Sequence, residues 1–597
     1  MPKAEGSQRP RVAAPVTPLF SHASTDCAQC WTCARHCPAH AIKTDGSSQV
    51  EILDERCVKC GLCVIECPNS GQTVRDDLGA VRALLESDIT VVALLSTEYV
   101  AALHPLTTEQ IEQRLHAIGF TSVETTVLGE EIVAATYERL DALPATRTQL
   151  RSTCPVAVSW VRTFHPGLVD MLAPVVPPYI AQSRLIRMLY PEDTAIVYVS
   201  PCWARKDEVY EHDFFGDVDV AIGFDELRRL FDERLDDTNK DVPARRPRAV
   251  KQISVTDGFP RRVLAETDLT RCDVLVVRGL NDLDGICTAI GRGEVSPRVV
   301  DMLSCEGCID GPCVNNELSV FTKRAIDAAE RRRQPPAEID SRAFLSALPV
   351  IEVDRIHAAR PPLGPMPSDA EIDAVLAEGE FSREDVLDCG ACGYPTCVAH
   401  AMAIWDGRST WHMCFPLERR LFERERIKLS EAAVLDPLTG LMNRRAFDRR
   451  ITEEVARTRR YGSPLSLCMM DLDSFKEVND RYGHSAGDAL LRAVAVLLKA
   501  ELRAIDVAVR YGGDEFAMIL PNTHKTDAWA VAEKIRDALQ RLTVTTETDA
   551  MISSSASIGI ASVGEATQHA NDLLDAADRA LYVAKRAGRN RVELAPG

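Results

Sequence analysis

Nearly continuous apolar runs punctuate the first half of the chain: ITVVALL (89–95), TAIVYVS (194–200) and DVLVVRGL (273–280). Unbroken hydrophobicity over strand length, with helical stretches between, predicts strands buried on both faces and an α/β region over residues 75–350. Farther on, LSLCMMDLD (465–473) reads as another buried strand with its polar end at Asp471. VAVRY and FAMIL flank Gly512 and Gly513, a hairpin whose tip glycines let a backbone approach a ligand closely. Residues 331–370 hold the proline-rich pieces RRRQPPAEID and RPPLGPMPSD, expected to be extended and to mark a boundary. PLERRLFERERIKLSEAAV (416–434) predicts a charged helix. Phe422, Leu429 and Ala433 line one seam of it, as a short coiled coil would require, and a solvated linker helix reads equally well.

At 597 residues the chain has room for several domains. The net charge of −19 argues against a DNA or RNA surface. No apolar run reaches the ~18 residues of a membrane span, and MPKAEGSQRPRVAAPVTPLF lacks an export signal's apolar core. A cytoplasmic location without membrane contact is therefore expected. Twenty cysteines in a reducing compartment point to metal rather than disulfides. Eight lie between Cys27 and Cys67, five between Cys272 and Cys313, and four between Cys389 and Cys414, whereas the last third has Cys468 alone.

Cys27, Cys30, Cys33 and Cys37 follow C-x2-C-x2-C-x3-C-P, and Cys57, Cys60, Cys63 and Cys67 repeat it. This is the bacterial two-cluster ferredoxin run, in which the fourth cysteine of each run serves the other cluster. One [4Fe-4S] cluster is expected on Cys27, Cys30, Cys33 and Cys67, the other on Cys57, Cys60, Cys63 and Cys37. A pair of zinc knuckles is the alternative.

RSTCPVAVSW, VSPCWARKDE and LSCEGCIDGPC place Cys154, Cys202, Cys305 and Cys308 where strands meet loops. In this order the segments resemble the catalytic domain of [FeFe] hydrogenases. The resemblance implies a cubane on these four thiolates, with Cys308 bridging to a diiron H-cluster, and the upstream ferredoxin as its electron wire. The departures are specific. Thr153 replaces a proton-donating cysteine, Arg205 a cyanide-holding lysine, and Ser200 the methionine of Met-Pro-Cys, while the last pair is C-x2-C. They imply slow turnover, as in a sensor, or a cubane without diiron. Cys313 is expected to be a small buried hydrophobe.

Cys389, Cys392, Cys397 and Cys414, in DCGACGYPTCVAHAMAIWDGRSTWHMC, resemble the small four-cysteine Fe–S domain of corrinoid proteins and sensory hydrogenases, with zinc as the alternative.

DPLTGLMNRRAF, DLDSFKEVNDRYGHSAGD, RYGGDEFAMIL and ADRALYVAKRAGRNR, in order, resemble a GGDEF diguanylate cyclase. The resemblance implies a palm-like fold that joins two GTP into cyclic di-GMP as a homodimer. Asp471, the Leu472 carbonyl and Asp514 would bind Mg2+, and Asp514 would also deprotonate the ribose hydroxyl. Glu515 adds a carboxylate, and Lys476 steadies the transferring phosphate. Asn479, His484 and Asp488 match the residues that read guanine and ribose; Lys585 and Arg589 match the triphosphate clamp. Arg503 and Asp506 match the family's RxxD product-inhibition site.

The expected fold class is thus multidomain α/β and α+β. A disordered terminus (1–24) precedes the ferredoxin domain (25–74) and the hydrogenase-like domain (75–350). A linker (351–372), the small Fe–S domain (373–416), a signalling helix (417–435) and the GGDEF domain (436–597) follow. The function expected is a cyclase regulated by H2 or redox state, with a redox partner and hydrogenase maturation factors as further partners. A hydrogen-oxidising hydrogenase with an appended cyclase, and a cyclic di-GMP receptor, are the alternatives.

Overall fold

The computed structural model describes residues 13–596 except 24, 26, 45–49, 142–146, 235–273, 315, 334–345, 362, 546–549 and 565–568. The chain divides into two compact units, one ending at Leu417 and one beginning at Glu418. Among the described residues no helix is long and apolar enough to cross a membrane.

The first unit opens with two small antiparallel pairs, Phe20–His22 with Gln72–Val74 and Ile42–Thr44 with Val50–Ile52. The two cysteine runs fold alike. Gln29 and Lys59, Trp31 and Gly61, and His40 and Ser70 occupy matching offsets, and all six have positive φ. A left-handed residue after the first and second cysteine of each run turns the chain back on itself, as wrapping a cluster requires. Of the segment expected to be disordered, 1–12 and 24 lie outside the described residues. Leu19 and Phe20, by contrast, are buried against Trp203, so the ordered domain starts before residue 25.

Two parallel sheets follow. One runs Ser122–Thr125, Val91–Leu95, Ala195–Ser200, Val220–Gly223; the other runs Val274–Arg278, Val299–Leu303, Gln149–Leu150. Every residue of Val91–Leu95 and Ala195–Ser200 is buried, because helices cover both faces. Beyond them, the expected linker is partly docked. Val353 and Arg355 are buried, and backbone bonds run from Val176 N to Val353 O (2.8 Å) and from Arg360 N to Arg162 O (2.9 Å). Arg355 anchors this strap by ion pairs to Glu208 (3.4 Å) and Glu211 (2.8 Å) and by lying over the Phe214 ring. The helix Asp369–Glu378 then starts inside the expected linker, on a capping box formed by Ser368 and Glu371.

A helix from Phe415 to Val434 crosses the boundary between the units, beginning two residues before the expected start. Phe422 is exposed on it; the side chains of Leu429 and Ala433 lie outside the described set. The second unit is built on a six-stranded sheet in the order Met442–Asn443, Val507–Arg510, Glu515–Pro521, Leu465–Leu472, Ala556–Ser562, Val592–Leu594. In its central strand Leu465, Leu467 and Met469 pack with Phe447 and Ile451, while Cys468, Met470 and Leu472 pack with Leu490 and Val494. Helices on both faces explain why this run lacks polar alternation.

Candidate active site and cluster cavities

In the second unit the ladder places Asp471 directly opposite Glu515, and Leu472 N donates to the Asp514 carbonyl at 3.3 Å. The hairpin tip closes through Tyr511 N and Gly512 N, both donating to Glu515 O. Lys585, at the end of the helix Ala570–Arg586, reaches Asp471 Oδ2 at 2.7 Å. Burial, with Asp514 and Glu515 nearby, raises the Asp471 carboxyl above its usual range against the pull of Lys585. Three carboxylates and a lysine thus meet at the strand ends.

Asn479 lies on the helix Phe475–Tyr482, and His484 and Asp488 lie on the first turns of His484–Glu501. A Cβ at Gly487 would stand 2.0 Å from Asn479 Oδ1, so a glycine there is what admits the amide between the helices. Lys476 is exposed, as is Arg589, whose positive φ follows the helix end. Arg503 closes on Asp506 through two bonds (3.0 and 3.1 Å) and also donates to Thr523 Oγ1.

Two supports went unread in the sequence. Asp473 is buried and accepts from Ser555 Oγ (2.6 Å), Ser557 Oγ (2.7 Å) and Asn590 N (3.0 Å), tying the Arg589 turn to the strand that carries Asp471. Asp436 pairs with Arg510, which donates to Gly513 O and so braces the hairpin tip. The DLD spacing was the available signal for the first; the second has none short of the fold.

In the first unit Cys154, Cys202 and Cys305 each follow the carboxyl end of a parallel strand, where α/β proteins collect their ligands. With Cys308 they line one cavity of about 1070 Å³. Cys37 and Cys60 line it too, as do Glu98, Thr153, Arg205 and Tyr394. Burial pushes the Cys202 thiol up to about 12 and raises those of Cys305 and Cys308 as well; Glu98 adds to the shift at Cys308. Thiols this buried lose their protons only to a metal that replaces the charge. Arg205 pairs with Glu208, donates to Thr153 O and lies 4.8 Å from the Tyr179 ring centre. Ser200 caps its own loop, accepting from Cys202 N at 3.0 Å. Cys313 is fully buried beside Leu19 and Trp203.

Among the ferredoxin-type cysteines, Cys33 feels Cys67 and Cys27, whereas Cys63 feels Cys60, Cys37 and Cys57 before it feels Cys33. N–H groups point at the sulfurs: Gln29 N at Cys27, Ala41 N at Cys37 and Gly71 N at Cys67. Cys389, Cys392, Cys397 and Cys414 line a second, smaller pocket with Phe381, Tyr394, His400 and Trp411. Among the described residues no three Cys, His, Asp or Glu groups close on one ion.

Sequence-family comparison matches residues 433–591 to "Diguanylate cyclase, GGDEF domain". Residues 433–591 are a GGDEF domain. Upstream, residues 26–71 match a 4Fe-4S dicluster domain, 89–312 the iron only hydrogenase large subunit, C-terminal domain, and 386–416 an Fe-S cluster family. The GGDEF domain is similar to diguanylate cyclase DosC of Escherichia coli (38% identical over 187 residues, 31% of this chain and 40% of that protein). It is also similar to the response regulator PleD of Caulobacter vibrioides (40% over 163 residues, 27% of this chain and 36% of PleD). The chain thus spans about two fifths of these relatives. Among solved structures, the coiled coil and GGDEF domain of DgcB from Caulobacter crescentus, in complex with c-di-GMP, matches at 32% identity. It covers 30% of this chain and 94% of that one, with a TM-score of 0.29. The multidomain α/β organisation expected from the apolar pattern holds.

Proposed function

We propose that the chain is a diguanylate cyclase, joining two GTP into cyclic di-GMP and two diphosphates, regulated by the redox state of its iron–sulfur half. The observation that carries the reading is the meeting of Asp471, Asp514, Glu515 and Lys585 at the ends of the central strands. Asp471, Asp514 and the Leu472 carbonyl supply hard oxygen donors for Mg2+, which, when bound, neutralises phosphate charge. Asp514 takes the proton from the ribose 3′-hydroxyl. Lys585 leaves Asp471 for the triphosphate, where Arg589 joins it, and Lys476 stabilises the charge on the transferring phosphate. Asn479 and Asp488 hydrogen-bond the guanine edge, and an adenine there would leave them unpaired; His484 opens the helix that carries Asp488. Each domain presents one GTP, so the active form is a homodimer, with the helix Phe415–Val434 as its seam and Arg503 with Asp506 as the product-inhibition site.

In the sensory half, Cys27, Cys30, Cys33 and Cys67 hold one [4Fe-4S] cluster and Cys37, Cys57, Cys60 and Cys63 another. Cys389, Cys392, Cys397 and Cys414 hold a third. Cys154, Cys202, Cys305 and Cys308 fit a cubane: they line one cavity at strand ends, and thiolates are the ligands such a cluster takes. Three features of the same cavity favour a cubane over a cyanide-bearing diiron centre. Arg205, in the position of the cyanide-holding cation, is already engaged by Glu208 and the Thr153 carbonyl, and the Glu98 carboxylate faces Cys308. Redox poise rather than H2 is therefore the favoured stimulus, in the reducing cytoplasm where GTP is available.

The test is cyclic di-GMP synthesis by anaerobically reconstituted full-length protein, oxidised, reduced with dithionite, and under H2. A several-fold difference between oxidised and reduced protein that vanishes in Cys305→Ala supports the reading. A response to H2 and not to dithionite overturns the cubane-only sensor. No synthesis under any condition overturns the cyclase.

A further inference from the structure

Tyr394 is the residue where two cluster sites meet. It lines the large cavity together with Cys37 and Cys60 of the ferredoxin domain, and it also lines the small pocket formed by Cys389, Cys392, Cys397 and Cys414. Its ring stacks on His40 on the ferredoxin side, with centroids 4.3 Å apart and planes 15° from parallel. On its other side it stacks on His400, at 5.0 Å and 20°. His400 in turn meets Trp411 edge-on at 5.4 Å, three residues before Cys414. Three nearly parallel rings thus lead from the turn after Cys37 into the wall of the second pocket.

The backbone holds this stack in register. Gly393, at φ +90, lies so close to Arg35 that a Cβ would stand 2.6 Å from the Arg35 Cα. Thr44 N donates to Arg408 O at 3.0 Å, Thr44 Oγ1 reaches Met413 Sδ at 3.3 Å, and Arg408 bonds the His40 carbonyl. His400 Nε2 and Ser409 Oγ lie 2.9 Å apart, fixing the far ring. A face joined by both backbone bonds and packed rings keeps its two pockets at one fixed separation. Electron tunnelling needs that, because its rate falls steeply with each added gap between donor and acceptor.

We propose that Tyr394, between His40 and His400, is the electron bridge from the Cys37/Cys57/Cys60/Cys63 site of the ferredoxin domain to the Cys389–Cys414 site. The inference rests on the reading above that both sites carry [4Fe-4S] clusters. One electron leaves the ferredoxin-side cluster, which is oxidised, and reduces the Cys389-side cluster; no proton moves and no bond changes. The electron enters from a low-potential one-electron donor, and Cys30, the exposed thiol of the outer ferredoxin set, marks its point of approach. The acceptor lies at the root of the helix Phe415–Val434, which follows Cys414 directly and packs Leu417 against it. The small Fe–S domain is thereby the receiver that presents the redox state to the helix.

The experiment uses full-length reconstituted protein, mixed with dithionite, freeze-quenched and followed by electron paramagnetic resonance. Subtracting the spectrum of Cys397→Ala isolates the signal of the Cys389-side cluster. Tyr394→Leu is expected to slow the appearance of that signal by an order of magnitude, and His40→Leu, remote from the acceptor's ligands, to slow it less. Tyr394→Phe, which keeps the ring, should match wild type, and iron content and the ferredoxin signals should not change in any of the three. Equal rates in wild type, Tyr394→Leu and His40→Leu overturn the bridge alone. A wild-type spectrum indistinguishable from that of Cys397→Ala overturns both the bridge and the cluster reading beneath it.

Discussion

Lys585 Nζ sits 2.7 Å from Asp471 Oδ2, so the cation expected on the triphosphate holds, without nucleotide, the carboxylate expected on the metal. One ammonium offsets part of the upward shift that burial and two neighbouring carboxylates impose on this buried acid. In the cyclase proposed above, binding of Mg2+ and GTP would exchange one partner for another.

From that exchange, Lys585→Met should strengthen Mg2+ binding to nucleotide-free protein several-fold, because the metal no longer competes with an ammonium. The KM for GTP should rise at the same time. Thermal shift against Mg2+ concentration reads the first effect and steady-state synthesis the second. Unchanged Mg2+ affinity would show that Lys585 and the metal do not share Asp471.

Asp514→Asn should abolish synthesis while leaving cyclic di-GMP binding at Arg503 intact. Isothermal titration with the product, alongside an activity assay, separates the two. Loss of both would mean the hairpin tip and the RxxD site are one structural unit.

Asp473→Ala removes the acceptor for Ser555, Ser557 and the Asn590 amide. Leaving such buried donors unpaired should destabilise the GGDEF domain by about 2–4 kcal/mol. It should also raise the KM for GTP, since the Arg589 turn hangs on the same carboxylate. Denaturant unfolding followed by the domain's own transition checks the first, and kinetics the second.

His357 makes the strap sensitive to acid. Its Nε2 donates to Ala173 O at 3.0 Å, and burial, reinforced by Arg355, holds its pKa to about 4, against about 6.5 in an unfolded chain. The folded state therefore favours the neutral ring. Its contribution is complete above the unfolded value and is lost as pH falls toward 4. Protection of the amides of residues 352–361, taken relative to intrinsic exchange at each pH, should be higher at pH 7.5 than at pH 5. His357→Leu should remove the pH dependence; an unchanged profile would assign the effect to another group.

Gly393→Ala should separate the Fe–S domain from the ferredoxin domain, because its Cβ would meet backbone, not a yielding side chain. Protease cleavage between residues 389 and 396 should become faster. Iron content at the ferredoxin site should stay constant.

Much of this was legible in the chain because its chemistry is written locally. A cluster run such as Cys27–Cys37 brings its ligands within a few residues of one another, so spacing alone describes the loop. The same holds for Gly512–Glu515, where tip glycines and flanking apolar strands define a hairpin. Within the expected linker, the docking of residues 351–361 is not legible because proline content reports extension, not docking; its anchor, Arg355 on Glu208 and Glu211, spans nearly 150 residues. The packing of Leu19 and Phe20, within the terminus expected to be disordered, is not legible for the same reason, since they gain their burial from Trp203.

The sequence by itself determined which residues could ligate, which strands are buried on both faces, and the order of the domains, since each follows from short-range spacing and hydrophobic period. Only the tertiary structure decided that Lys585 covers Asp471, that Arg205 is held by Glu208, that Glu98 and Cys308 line one cavity, and that Tyr394 lines two cysteine-bearing pockets. Each of these depends on where distant segments cross, and that is set by the packing of whole sheets and helices rather than by any residue's neighbours in the chain.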